Sequence, residues 1–205
     1  MVAGHVALEI YVMPLQRYFR GEYEPLSPVD EGPPQEICDE ATARKRVATL
    51  QADLSAESRC EVVWEDDGEV AMRRSIDARH LHALRSFAAH LEYPTRFLIF
   101  EQSFRVLDDP RDHKGLRKIY DGEPTTYEHL MRHSDDRGFY FPVDFPSPCA
   151  TSEAKWWKIG SSQRLHDELV RIESRFDEST PLLVRDTCKL LLEVSAEATQ
   201  RGLPI

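Results

Sequence analysis

Cys60-Glu61-Val62-Val63-Trp64-Glu65-Asp66-Asp67-Gly68-Glu69-Val70-Ala71-Met72-Arg73-Arg74-Ser75 is the stretch that decides the fold class. Two alternating segments, Glu61-Val62-Val63-Trp64 and Glu69-Val70-Ala71-Met72, flank Asp67-Gly68, a dipeptide that tolerates the positive φ angles of tight turns. The stretch therefore reads as an antiparallel hairpin turning at Asp67-Gly68. Upstream of it, Ala43, Val47, Leu50 and Leu54 recur at helical spacing, which predicts an amphipathic helix over Asp39 to Leu54. Further upstream, Leu15 to Ile37 reads as turn-rich chain with Tyr18, Phe19 and Tyr23 tucked onto the core. Val6, Leu8, Ile10 and Val12 share one face of a strand that Pro14 ends. Downstream, Asp77 caps a helix whose apolar positions Leu81, Leu84, Phe87, Ala88 and Leu91 keep a helical period up to Pro94.

Thr95 to Leu107 is too evenly apolar for its period to choose between helix and strand. Asp108 to Pro124 reads as a surface excursion with one helical turn from Lys114 to Tyr120. Thr125 to Arg132 forms a short helix capped by Thr125 or Thr126, and Asp136-Arg137-Gly138 turns the chain into a strand over Phe139 to Phe145. Pro142 places that strand at an edge or breaks it. Ser161 or Ser162 caps a helix carrying Leu165, Leu169 and Ile172, and a last helix runs from Pro181 to Thr199. Strands and helices alternate without a βαβ rhythm. The expectation is one α+β domain over residues 1–205, an antiparallel sheet with a hairpin packed by several amphipathic helices.

The chain has 205 residues, with 26 Lys+Arg against 36 Asp+Glu, a formal net charge of −10. A protein that neutralises phosphates needs a basic surface, so nucleic acid is not an expected partner. The N-terminus lacks the basic start and apolar core of a secretory signal, and no apolar run approaches the ~20 residues of a membrane span, so a cytoplasmic location and no membrane association are expected. The four cysteines, Cys38, Cys60, Cys149 and Cys188, show no paired spacing. They read as reduced packing residues without disulfides.

The densest set of ligand-capable groups is His113, His129, His133, Asp135 and Asp136, with Asp108, Asp109 and Asp112 upstream. If the Thr125 to Arg132 helix continues one residue, His129 and His133 stand on one face, a spacing at which two imidazoles meet one cation and Asp135 adds an oxygen. Zinc suits that donor set. Leu130 follows His129 where a zinc protease needs Glu, which excludes that class. The structural alternative makes both histidines ordinary helix residues, with Ser134 and Asp135 in a side-chain-to-backbone turn. Gly160-Ser161-Ser162 enters a helix and offers backbone N–H groups to an anion, but N-capping calls for the same residues. No G-x-S-x-G elbow occurs and Cys149 has no basic neighbour in sequence, so nucleophilic catalysis lacks support. Trp156-Trp157 reads as a partner surface or a ligand wall, with one ring packed inside.

Three segments, Leu8-Glu9-Ile10-Tyr11-Val12-Met13-Pro14-Leu15, His133-Ser134-Asp135-Asp136-Arg137-Gly138-Phe139-Tyr140-Phe141-Pro142-Val143-Asp144-Phe145 and Gly160-Ser161-Ser162-Gln163-Arg164-Leu165, resemble a family of small bacterial proteins of unassigned function. The resemblance implies that they form one local structure. The turn at His133 to Gly138 with Ser161 and Ser162 would then line one polar cleft, joined by His113, His129, Ser134, Asp135 and Asp136. Two functional classes follow. The preferred one is a non-enzymatic acidic interaction protein of immunity or regulatory type, without a cofactor, covering a basic partner protein; the acidic charge would steer that association. The other is a metal-assisted hydrolase or lyase in which His129, His133 and Asp135 hold zinc and His113 is a further ligand or general base.

Overall fold

Alternation over the N-terminal aliphatic set does produce a strand, β1 (Ala7–Val12), and its partner is β2 (Met72–Asp77), paired antiparallel with Ala7 opposite Asp77 and Val12 opposite Met72. The computed structural model describes residues 7–23, 37–58, 61, 62, 64, 66, 68–94, 113–133, 138–151 and 159–205. The fold is α+β, as the pattern predicts, but the two-stranded antiparallel pair joins distant parts of the chain. Among the described residues, none from 61 to 70 lies in a strand. The reason is visible in their side chains. Val62 and Trp64 do alternate inward, and they bury in an apolar cluster with Leu54 and Phe141. The Asp66 carboxylate accepts from the backbone N–H of Leu15 at 2.5 Å and of Gln16 at 3.0 Å. This segment is committed to the core and to a helix end, and the edge of β2 is left for β1. Gly68 has the positive φ of +110° that the turn requires; Cys60, Val63, Glu65 and Asp67 lie outside the described residues.

The helices among the described residues are α1 (Leu15–Phe19), α2 (Glu40–Ser58), α3 (Ala78–Glu92), α4 (Lys114–Tyr120), α5 (Glu128–Arg132), α6 (Ser162–Glu173) and α7 (Leu182–Arg201). Asp77 caps α3 as expected, its carboxylate accepting from Arg79 N. Ser161 caps α6 by accepting from Arg164 N at 3.2 Å, and α7 ends at Gly202 in the left-handed conformation that favours glycine. Helix α1 falls where turn-rich chain is predicted, because Asp66 supplies the N-terminal acceptor that Pro14 lacks. The Phe139 to Phe145 strand is short. Only Tyr140–Phe141, β3, is paired, parallel to Gly160–Ser161, β4, and pairing stops at Pro142, which has no N–H to donate. Residues 95–112 and 152–158, which include the segment of open type and Trp156-Trp157, lie outside the described residues.

Among the described residues, burial falls into three clusters. One gathers Leu84, Leu116, Leu130, Leu169 and Leu191 from helices α3 to α7. A second gathers Phe19 of α1, Leu50 of α2, Trp64, Phe141 of β3 and Ile159, which precedes β4. A small third, with Val12, Val194, Ala198 and Leu203, seats β1 on α7. Each leucine buried in this way contributes roughly 2 kcal/mol of transfer free energy. The C-terminal residues tie the clusters together: Met13 N donates to Pro204 O at 3.1 Å, and Ile205 exchanges backbone hydrogen bonds with Tyr140 at 3.1 and 2.9 Å. No helix among the described residues is long and apolar enough to cross a membrane.

Candidate functional site

The three segments singled out in the sequence do meet. Strand β3 of the second pairs with β4 of the third; Ser162 Oγ donates to Phe141 O at 3.1 Å, and the Arg164 guanidinium is bidentate on the Asp144 carboxylate. The first reaches them through the bridge from Met13 to Pro204 and from Ile205 to Tyr140. What forms at the meeting point is a closed polar junction. Ser161 and Ser162 are fully buried, and His129 and His133 are 1% and 9% exposed.

Helix α5 organises the junction. Its first turn has no local side-chain cap, since the Thr126 hydroxyl donates to the Glu92 carboxylate and the Thr125 hydroxyl both donates to it and accepts from Tyr127 N. The expected cap by Thr125 or Thr126 is therefore replaced by Glu168 of α6, whose carboxylate accepts from His129 N at 2.9 Å and Leu130 N at 2.8 Å. At the other end Arg85 of α3, 1% exposed, donates to Leu130 O at 2.7 Å and His133 O at 2.9 Å. A carboxyl acceptor at the N-terminus and a cation at the C-terminus of one helix complement its free N–H and C=O groups. Burial outweighs the two backbone donors at Glu168 and lifts its pKa to about 8.

His129 Nδ1 accepts the backbone N–H of Ser161 at 2.9 Å, and Nε2 faces Pro146 O at 3.4 Å, which fixes a neutral ring with its proton on Nε2. Burial lowers its pKa. His133, just beyond the helix, stacks on Tyr140 with ring centroids 4.0 Å apart and faces Phe139 O through Nε2 at 3.2 Å. His113 is elsewhere: it caps α4, Nδ1 accepting from Gly115 N and Leu116 N, beside His90 of α3. Ser134, Asp135 and Asp136 lie outside the described residues. Among the described residues no group of three or more His, Cys, Asp or Glu side chains is placed to hold a metal, and both nitrogens of His129 face backbone groups. Cys38, Cys149 and Cys188 are free thiols, with Cys60 outside the described residues. Burial pushes the Cys149 and Cys188 thiols up to about 11 and about 12, far from a reactive thiolate.

The groups left facing water are mostly charged. Glu57, Asp121, Asp167, Glu173, Glu178 and Asp186 are exposed and make no ion pair among the described residues. Others, such as Glu193 with Arg74 and Glu197 with Arg201, are in half-exposed or exposed pairs. On α7 the residues Asp186, Glu193 and Glu197 lie along one stripe, with intervals of about 10 and 6 Å at the helical rise. Beside the N-terminal half of α7 a groove of about 300 Å³ opens against the end of the β1–β2 ladder, lined by Ile76, Asp77, Leu183, Asp186 and Leu190 among others. Sequence reading missed Glu168, Arg85 and this groove. The one available signal was the lack of a good capping residue at Tyr127, which required an acceptor from elsewhere.

Fold and surface together define an acidic α+β protein in which His113, His129, His133, Ser161 and Ser162 are buried and the described surface carries exposed carboxylates. A family model described as "Putative DNA-mimic protein" matches residues 6–195, a span that includes all three meeting segments. The chain belongs to that family. No curated protein and no solved structure matches it.

Proposed function

We propose that the protein is a non-enzymatic acidic interaction protein that presents carboxylates where DNA presents phosphates, and so occupies the basic surface of a DNA-binding protein. The observation that carries this reading is the formal charge of −10, part of it displayed on exposed carboxylates without a cation of their own, in a chain of that family. Duplex DNA offers about one negative charge per 1.7 Å of axis, and a cationic surface built to meet it attracts any comparable array. Helix carboxylates one turn apart stand about 6 Å from each other, as Glu193 and Glu197 do on α7. Their exposed ion pairs are worth only about 0.2–1 kcal/mol each, so a partner's arginines can exchange into them at little cost. An immunity or regulatory role, in the cytoplasm, follows if the partner's DNA binding is the activity held in check.

Capture on the immobilised protein tests this. At low salt a basic DNA-binding protein is retained, and retention falls as salt shortens the Debye length from ~10 Å at 0.1 M to ~3 Å at 1 M. Recovery of no basic protein at low salt contradicts the proposal.

A further inference from the structure

The groove beside α7 has two apolar walls, the His80 side chain and one uncommitted carboxylate. Ile76 of β2 stands at the end of the ladder, opposite Leu8, and Leu183 and Leu190 face it from α7. Two carboxylates line the groove, and they differ. Asp77 is spent: it caps α3 and holds the Arg79 guanidinium at 2.6 Å. Asp186 is exposed and has neither a hydrogen bond nor an ion pair among the described residues. The cations nearest in sequence do not neutralise it. Arg185 turns back, donating to Thr180 O at 3.1 Å and to Asp177 O, and Lys189, about one turn along, makes no ion pair with it.

Resting on the proposed function, we infer that this groove receives an arginine side chain of the basic partner. An arginine fits both features at once. Its three-methylene stem covers the Ile76, Leu183 and Leu190 walls, and its planar guanidinium donates two parallel hydrogen bonds to the Asp186 carboxylate. A bare point charge would leave the apolar walls uncovered, and an apolar side chain would leave Asp186 facing it without a counter-ion. The groove thereby adds a shaped contact to an otherwise diffuse electrostatic surface, which is where specificity over a plain polyanion enters.

The probe is an octa-arginine peptide at low, fixed ionic strength, titrated into the wild type, Asp186→Asn and Glu57→Gln. Glu57 is an exposed, unpaired carboxylate on α2 that does not line the groove, so each variant removes one surface charge. Asp186→Asn is expected to weaken binding about fivefold, the upper end for an exposed ion pair, and Glu57→Gln less than about twofold. The amide resonances that move most in the wild type are expected at Ile76, Leu183, Thr187 and Leu190. If the wild type binds and the two variants lose affinity equally, or the shifts lie away from these residues, the groove assignment is overturned while the acidic-surface reading stands. If the wild type does not bind octa-arginine at all, both are overturned.

Discussion

Buried beside α3, the His113 imidazole accepts two backbone N–H groups and is pushed by desolvation to a pKa of about 4. An unfolded histidine titrates near ~6.5. With the folded value depressed, the stability that His113 contributes is complete above about 6.5 and drains away as pH falls through 4. His113→Asn keeps a capping acceptor and removes the titration. Urea unfolding between pH 7 and 4 is expected to show the variant losing less stability than the wild type, by on the order of 3 kcal/mol; parallel losses would contradict the buried neutral ring. Glu168 works in the opposite sense. Its folded pKa of about 8 lies above the ordinary 4.5, so its contribution is greatest below the unfolded value and is lost as pH rises through 8. Glu168→Gln, which cannot ionise, is therefore expected to gain on the wild type from about pH 5 to 8 and to hold that difference above it. A pH-independent difference between the two would mean that the carboxyl is ionised throughout. Neither role was written in the spacing that made His113, His129 and His133 candidate ligands, because spacing reports which side chains can meet and not how deeply they are buried.

Two five-residue helices, α1 and α5, exist because carboxylates far along the chain complete their first turns: Asp66 for α1 and Glu168 for α5. Longer elements were legible without such help. The apolar periods of α2 and α3 and the caps at Asp77 and Ser161 are local signals, and local signals survive folding. The ladder was half legible. Alternation marked β1 and the arm ending in β2 as extended chain, but strand pairing is a contest among edges, and burial of Val62 and Trp64 with the capping work of Asp66 leaves the edge of β2 to β1. The short parallel pair and α5 were the least legible of all. Helix α5 relies on Arg85, whose guanidinium reaches two carbonyls at its end, His133 O among them. Arg85→Lys keeps the charge and cannot serve both carbonyls with the same fork, so it is expected to cost about 2–4 kcal/mol in urea unfolding. Amide exchange would locate the loss at residues 128–133. Unchanged stability would mean that Arg85 fills space without clamping the helix.

Across the whole molecule, polar groups divide by depth. Those resembling a catalytic set, His129, His133, Ser161 and Ser162, serve the interior and hold β3, β4 and α5 together, while described carboxylates such as Glu57, Asp167 and Asp186 face solvent. This division supports recognition by charge over chemistry in a cleft, and it agrees with a family match that spans nearly all of the chain. The charge balance was readable from composition alone, since net charge is additive along a sequence. The groove beside α7 was not, because Ile76 and Asp186 come from elements that only the fold brings together. Competition with DNA tests mimicry most directly, because a mimic and its model must exclude each other from one surface. A basic protein held by the immobilised chain at low salt is challenged with excess duplex DNA at constant ionic strength. The expected result is release of the protein in step with the amount of duplex added; a basic protein that stays bound to the chain while also binding the duplex would contradict mimicry.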